Sequence, residues 1–330
     1  MSRAPAVQIF AAAARAALPR WDLEGAALAL VAHRENAVFR VASPRGAYAL
    51  RVHRPGYHDD ATLRSEHAWV RALAAAGLDV PPFVPTRDGE PFAKVEAPAL
   101  AAPVQVDLLE WVDGEPLAVA LERHAGDGRW LRRTWHALGA LLAAVHAHAA
   151  AWRAPAGFVR PAWDAEGLAG TDPLWGRFWE LPALDDGQRA LLVRARERVH
   201  AELSALPTSG DCYGLIHADL LPENVLVDGA CLRLIDFDDC GWGWHLFELV
   251  TPVYALADVP WHDVARDALI EGYCSRRPLA DAELERLPLF LLARALTDVG
   301  WMHTRAETET ARRSTAAVVA SACTLAERYL

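Results

Sequence analysis

Short apolar strands that hold charged residues between them constrain this chain more than any other feature. The stretch Leu215-Ile216-His217-Ala218-Asp219-Leu220-Leu221-Pro222-Glu223-Asn224-Val225-Leu226-Val227 is succeeded, after a turn, by Leu232-Arg233-Leu234-Ile235-Asp236-Phe237-Asp238-Asp239. Residues at strand ends are rigidly placed, while the connecting loop supplies reach. Such a scaffold can bring Asp219, Asn224 and Asp236 towards one point, and three oxygen-bearing side chains suit Mg²⁺ and phosphate oxygens. A lone His-x-Asp carries little information. The asparagine five residues after Asp219, the strand and the Asp-Phe-Asp-Asp run arrive together and in order, which makes the joint pattern specific.

At 330 residues the chain exceeds the usual single core, so two lobes or domains are expected. Hydrophobic residues make up 53% and there are 13 tryptophans, which suits a globular protein and excludes a disordered or fibrous one. The formal charge of −10 argues against holding long nucleic acid by phosphate neutralisation. Lys94 is the only lysine among 33 basic residues, so a point-charge task elsewhere falls to arginine. Five cysteines, none in a Cys-x-x-Cys pair, indicate neither a disulfide framework nor a zinc knuckle and fit a reducing, cytoplasmic setting. Arg15 interrupts the N-terminal apolar run, so that segment reads as an amphipathic helix and not as a signal peptide. Thr134–Trp152 holds no charged residue over 19 positions, yet His136, His146 and His148 lie inside it. A helix buried in a large core is expected there, with no membrane partner.

The first third reads as a helix over 6–18, strands near 26–31, 37–42 and 47–53, and a helix over 62–76 closed by Gly77. Ser43-Pro44-Arg45-Gly46 has hairpin-turn composition, so the second and third strands should pair antiparallel. Further strands are expected near 92–95 and 104–111, with a boundary at Asp113-Gly114-Glu115-Pro116. Beyond that boundary the chain reads as mainly helical, except for short strands near 213–216, 225–227 and 232–235. No internal repeat is present.

The His-x-Asp-x-x-x-x-Asn segment with the subsequent Asp-Phe-Asp resembles the aminoglycoside phosphotransferase and choline kinase family. It lies nearest the branch of type II homoserine kinases, hydroxylysine kinases and the stress-response kinases of the RdoA/SrkA type. The likeness covers about residues 6 to 310. It implies an α+β, protein-kinase-like two-lobed fold: a small antiparallel N-lobe sheet with one main helix over 1–112, and a larger, mainly helical C-lobe over 113–330. It further implies Asp219 as the catalytic carboxylate, Asn224 and Asp236 as Mg²⁺ ligands with Asp238 as a further candidate, and His217 as a brace of the loop. Asp239 reads as a solvated or capping residue.

In the first lobe, Tyr48-Ala49-Leu50-Arg51-Val52-His53-Arg54-Pro55-Gly56 resembles the family's third strand, with Arg51 where protein kinases carry lysine. Arginine keeps the charge and forks onto two oxygens. Glu66 matches the ion-pairing glutamate of the next helix, so an Arg51–Glu66 pair is expected. The resemblance assigns Ala32-His33-Arg34-Glu35-Asn36 to the phosphate loop, in which glycine is missing and Asn36 is the matching residue. It assigns the backbone of Glu110 and Val112 to adenine. The nucleotide would be ATP or GTP with Mg²⁺, and the acceptor a hydroxyl-bearing small molecule of amino-alcohol or amino-acid type.

A Ser/Thr protein kinase of the stress-response type is the alternative, and no Ala-Pro-Glu motif comes after Asp-Phe-Asp-Asp to support it. A nucleotide-binding pseudokinase is the third reading, against which Asp219, Asn224 and Asp236 are all present. His136, His146 and His148 have poor spacing for a metal on one helix face and read as core or rim residues. The tryptophans of Trp242-Gly243-Trp244, with Trp261 and Trp301, read first as packing and second as an acceptor pocket. Arg294 and Asp298 stand four apart and read first as a helix pair and second as acceptor-binding residues. Oligomeric state leaves no trace in the sequence.

Overall fold

The computed structural model describes residues 3–33, 36–96, 102–257 and 259–330. It divides into two compact units, Met1–Gly114 with Ala154–Val159, and Glu115–Arg153 with Arg160–Leu330. The return of 154–159 to the first unit is a feature that a single boundary at 112/113 does not include. There the Val159 N–H donates to Ser65 Oγ at 2.8 Å.

The first unit is a five-stranded antiparallel sheet in the order β1-β2-β3-β5-β4, formed by β1 (Ala27–His33), β2 (Ala37–Ser43), β3 (Gly46–Val52), β4 (Ala93–Val95) and β5 (Val104–Glu110). The β2–β3 hairpin closes with Ser43 opposite Gly46, whose φ of 138° only glycine adopts readily. Helix α1 (Arg3–Ala17) packs Ala13, Ala14 and Ala17 against Phe39, Val41, Leu50 and Val106 of the sheet. Helix α2 (Asp60–Ala75) starts at an Asp59 cap, whose side chain accepts from Thr62 N–H at 2.8 Å, and it buries Leu63, Glu66, Trp69, Val70 and Leu73. It ends as the sequence predicts at Gly77, with φ 81°.

The second unit holds β6 (Glu115–Pro116), α3 (Leu117–His124), α4 (Gly128–Ala151), β7 (Ala162–Trp163), α5 (Ala165–Ala169) and α6 (Asp186–Ser204). It continues with β8 (Tyr213–Ile216), β9 (Val225–Asp228), β10 (Cys231–Leu234), β11 (Gly241–Trp244), α7 (His245–Tyr254), α8 (His262–Cys274), α9 (Asp281–Leu284), α10 (Leu287–Thr304) and α11 (Glu309–Tyr329). Two small sheets, β10-β9-β6 and β7-β11-β8, carry the polar loops. Trp242-Gly243-Trp244, expected to lead straight into helices, is instead strand β11, paired to β8 and β7. Glycines at 241 and 243 permit this, since a Cβ at Gly243 would stand 2.4 Å from the Ile216 side chain.

The uncharged stretch 134–152 falls in α4 and the residue after it. Trp135, Leu138, Leu142, Val145 and His146 are buried there, and α4 packs against α8. No helix among the described residues is long and apolar enough to cross a membrane. The α4–α8 pair is close because each helix offers a glycine: a Cβ at Gly139 would lie 1.9 Å from the Leu269 carbonyl oxygen, and one at Gly272 1.9 Å from that of His136. Overpacking of this kind costs about 1–3 kcal/mol. Gly272→Ala should therefore lower Tm by several degrees, while Gly126→Ala, which meets nothing within 4 Å, should leave it within about a degree. Equal thermal melts for the two variants would contradict the close packing.

Candidate active site

Strand β8 ends at Ile216 and the chain turns at once. Ala218 has φ 69° and Asp236 φ 63°; with Asp22 they are the non-glycine residues with positive φ among those described. That conformation costs an L-residue about 1–3 kcal/mol, so neighbouring bonds must hold both turns.

His217 supplies the first of them. Its Nε2–H donates to the Ile235 carbonyl oxygen at 2.8 Å, which fixes the tautomer, and its fully buried ring packs 4.5 Å from Phe237. Its backbone N–H donates to both carboxylate oxygens of Glu248, at 3.0 and 2.9 Å. The Ile235 N–H donates to the Asn224 carbonyl oxygen at 3.0 Å. Asn224 Nδ2 donates to the Asp219 carbonyl oxygen at 2.8 Å and lies 3.4 Å from Asp219 Oδ2, and the Leu221 N–H meets the same carbonyl at 2.9 Å. Asp219 and Asn224 thus share one hydrogen-bonded turn, and Asp236 comes directly after its anchor.

Helix α10 adds a buried cation. Arg294, 1% exposed, donates from Nη2 to Asp219 Oδ1 at 3.1 Å and from Nη1 to the Ala218 carbonyl oxygen at 3.3 Å. The same Nη2 pairs with Asp298 Oδ1 at 3.1 Å, and the guanidinium lies 5.0 Å from the Trp175 ring. The expected Arg294–Asp298 pair forms, but its arginine also holds the candidate catalytic carboxylate. Burial pushes the Asp298 carboxyl up to about 6; Arg294 opposes this and Asp219 adds to it.

Asp238 is buried while Asp236 is exposed. Arg160, also buried, donates to the carbonyl oxygens of Asp238 and Cys240 and so clamps the turn after Asp236. The Asp239 carbonyl accepts from Trp163 Nε1 at 2.9 Å, and its carboxylate accepts from Trp175 Nε1 at 3.4 Å. Both indoles are buried, so these two tryptophans pack and brace.

No group of three or more His, Cys, Asp or Glu side chains able to hold a metal occurs among the described residues. His146 sits instead in the core, with its Nε2 3.1 Å from Glu248 Oε2 and its Nδ1 2.9 Å from the Tyr273 hydroxyl. What the turn offers a cation is an amide and carboxylates, all hard oxygen donors, and with Asn224 Nδ2 committed to Asp219 the amide oxygen is the remaining ligand atom. This donor set fits Mg²⁺, which takes one or two protein carboxylates and completes its shell with phosphates and water.

In the first unit the expected ion pair forms: Arg51 Nη2 stands 2.8 Å from Glu66 Oε1, and both side chains are buried. The same Nη2 is 2.8 Å from Asp107 Oδ2, a partner that sequence reasoning passed over. Asn36 Oδ1 accepts from the Arg54 N–H at 3.0 Å, tying the start of β2 to the end of β3. Arg34 and Glu35 of the expected phosphate loop lie outside the described residues. The Glu110 N–H donates to the Pro82 carbonyl oxygen at 3.0 Å. Val112 lies in the half-buried coil after β5.

Sequence reasoning also missed Glu248 and Arg160, while His146, read as a core or rim residue, is buried as expected. A glutamate inside the mostly apolar stretch of α7, His245–Tyr254, is the signal that could have found the first. Arg160 lies in an irregular segment and leaves no pattern.

The model of the phosphotransferase enzyme family matches residues 27–289. The chain belongs to that family, has its protein-kinase-like fold, and is a phosphotransferase that acts on a hydroxyl group. The solved structure of a microcompartment-associated aminopropanol kinase is 34% identical, with a TM-score of 0.82 over 94% of this chain and 95% of that one. An amicoumacin kinase solved in complex with AMP-PNP, Ca²⁺ and Ami is 19% identical, with a TM-score of 0.75 over 99% of this chain and 94% of that one. The homoserine kinase of Agrobacterium fabrum is 30% identical over 244 residues, 68% of this chain and 63% of the relative.

Burial pushes the Glu248 carboxyl up to about 7, against the pull of His217, and pushes His146 down to about 3. The folded protein therefore holds a proton at Glu248 that the unfolded chain, with a value near 4.5, releases earlier. The stability contributed by that proton is full below about 4.5 and is lost as pH rises through about 7. Thermal melts at a series of pH values should show the wild-type Tm falling relative to Glu248→Gln between about pH 5 and about pH 8. Parallel curves would contradict this.

Proposed function

We propose that the protein is an ATP-dependent kinase that moves the γ-phosphoryl group to the hydroxyl of a small amino-alcohol or amino-acid acceptor. The observation that carries this is the state of Asp219: a carboxylate 22% exposed, held at Oδ1 by Arg294, with its backbone carbonyl held by the Asn224 amide. With Oδ1 bonded to Arg294 Nη2, the second carboxylate oxygen, Oδ2, is the one that meets the acceptor. Asp219 Oδ2 accepts the hydroxyl proton, the acceptor oxygen bonds to the γ-phosphorus, the bond from that phosphorus to the β,γ-bridging oxygen breaks, and ADP leaves with the electron pair.

Asn224 and Asp236, with Asp238 the third candidate, would hold Mg²⁺, which when bound offsets charge on the phosphate oxygens. Arg51, paired with Glu66, is assigned to the phosphates. The Glu110 carbonyl and the Val112 backbone are assigned to adenine, because the Glu110 N–H is already used by Pro82. Asn36 supports the strand end beside the phosphate loop. ATP is preferred to GTP here because the related amicoumacin kinase was solved with AMP-PNP. The aminopropanol kinase, alike in sequence and fold, supports an amino-alcohol acceptor.

A protein acceptor is less well supported. Strand β11 begins at Gly241 and α7 at His245, so few residues after Asp236 are left to form a peptide-docking segment. Asp219→Asn should lower kcat by about 100-fold or more while leaving ATP affinity within about twofold, read by coupled ADP release and by nucleotide titration. Full turnover in that variant would remove Asp219 from the role given to it.

A further inference from the structure

The first unit carries a buried charge cluster that an arginine–glutamate pair alone does not account for. Asp107 lies on β5 directly opposite Arg51 on β3 and is 0% exposed. Arg51 Nε donates to its Oδ1 at 3.2 Å and Nη2 to its Oδ2 at 2.8 Å, a two-pronged contact that fixes the plane of the guanidinium. His53 Nε2 and His67 Nε2 stand 2.9 and 3.1 Å from the same Oδ2, and a carboxylate only accepts, so both nitrogens carry the hydrogen. His67 is itself held by stacking on Phe83 at 3.4 Å. Burial alone would push the Asp107 carboxyl up; Arg51, then His53 and His67, overcome that and hold it well below the ordinary range.

We propose that Asp107 is the positioning residue of the nucleotide clamp, setting the guanidinium of Arg51 so that arginine serves where this fold uses lysine. Glu66 accepts from Nη2, whereas Asp107 takes both Nε and Nη2 in a two-pronged contact and so decides the orientation of the group. A lysine ammonium is a point cation that can meet Glu66 but cannot fork onto the two oxygens of Asp107. Lysine at position 51 would therefore leave a buried carboxylate short of its main partner, which is costly. Arginine at 51 and aspartate at 107 thus act as one unit, and the pair rests on the assignment of Arg51 to ATP phosphates.

The test is a double-mutant cycle on the full chain, with KM for ATP, KM for the acceptor, kcat and Tm measured for Arg51→Lys, Asp107→Asn and both together. Each single variant should raise KM for ATP about tenfold or more and leave acceptor KM within about twofold. The double variant should return KM for ATP towards wild type, because the substituted lysine then meets Glu66 with no stranded acid beside it. Independent, multiplying effects, or a folded Asp107→Asn protein with unchanged KM for ATP, would overturn the proposal. Should Asp107→Asn alone not fold, Arg51→Lys against the double variant decides: recovery supports the role and no recovery contradicts it. If Arg51→Lys itself leaves KM for ATP within about twofold, the forked geometry set by Asp107 is not needed and the proposal is overturned; the assignment of residue 51 to the nucleotide falls separately, if Arg51→Ala also leaves KM for ATP within about twofold.

Discussion

The second unit depends on one buried carboxylate. Glu248, at no exposure, accepts the backbone N–H of His217 on both oxygens, and a chain of bonds through the turn starts from where that places His217. The His217 ring holds the Ile235 carbonyl, the Ile235 N–H holds the Asn224 carbonyl, and the Asn224 amide holds Asp219. Two residues forced into the left-handed region, Ala218 and Asp236, come directly after two members of this chain of bonds, His217 and Ile235. Strain stored at those positions persists only where the surroundings over-determine the backbone, and here they do so through paired, buried groups.

Buried charge is used in the same manner in both units: a cation is held by more than one acid. Arg294 pairs with Asp219 and Asp298, and Arg51 with Glu66 and Asp107. Breaking such a pair by removing one partner is costly because a charge is left without compensation in a dry site. That cost holds the groups in one geometry, which is what a reaction with little covalent work for the protein requires. The preference for arginine in a chain with a single lysine fits this arrangement, since a guanidinium can satisfy two carboxylates from one fork.

Much of this was legible in the sequence. The hairpin at Ser43–Gly46, the Gly77 helix end and the strands around the polar loop stem from local pattern and turn chemistry, whereas the Arg51–Glu66 pair was implied by the family resemblance. The features that were not legible depend on contacts far apart in the chain. Strand β11 was hidden by its glycine and tryptophan content, and it exists because β7 and β8 flank it. Asp107 sat in plain view as the only acid inside the apolar run Val104–Leu109, but its partners Arg51, His53 and His67 come from β3, the residue after it, and α2. Arg294 looked like an ordinary helix pair because its second carboxylate, Asp219, lies 75 residues away. Arg160 and Glu248 likewise bind backbone groups, which carry no side-chain signature.

The turn from His217 to Asp236 is assigned here to holding a metal–nucleotide complex. Thermal unfolding with ATP, with Mg²⁺ and with both, in the wild type and in Asp236→Asn, addresses that assignment without needing the acceptor, because a ligand bound only by the folded state raises stability by about 2.7 kcal/mol at a hundred times its Kd. The expected result is a rise in Tm that needs ATP and Mg²⁺ together and that disappears in the variant. No rise in the wild type at saturating concentrations, or an equal rise in both proteins, would refute the assignment.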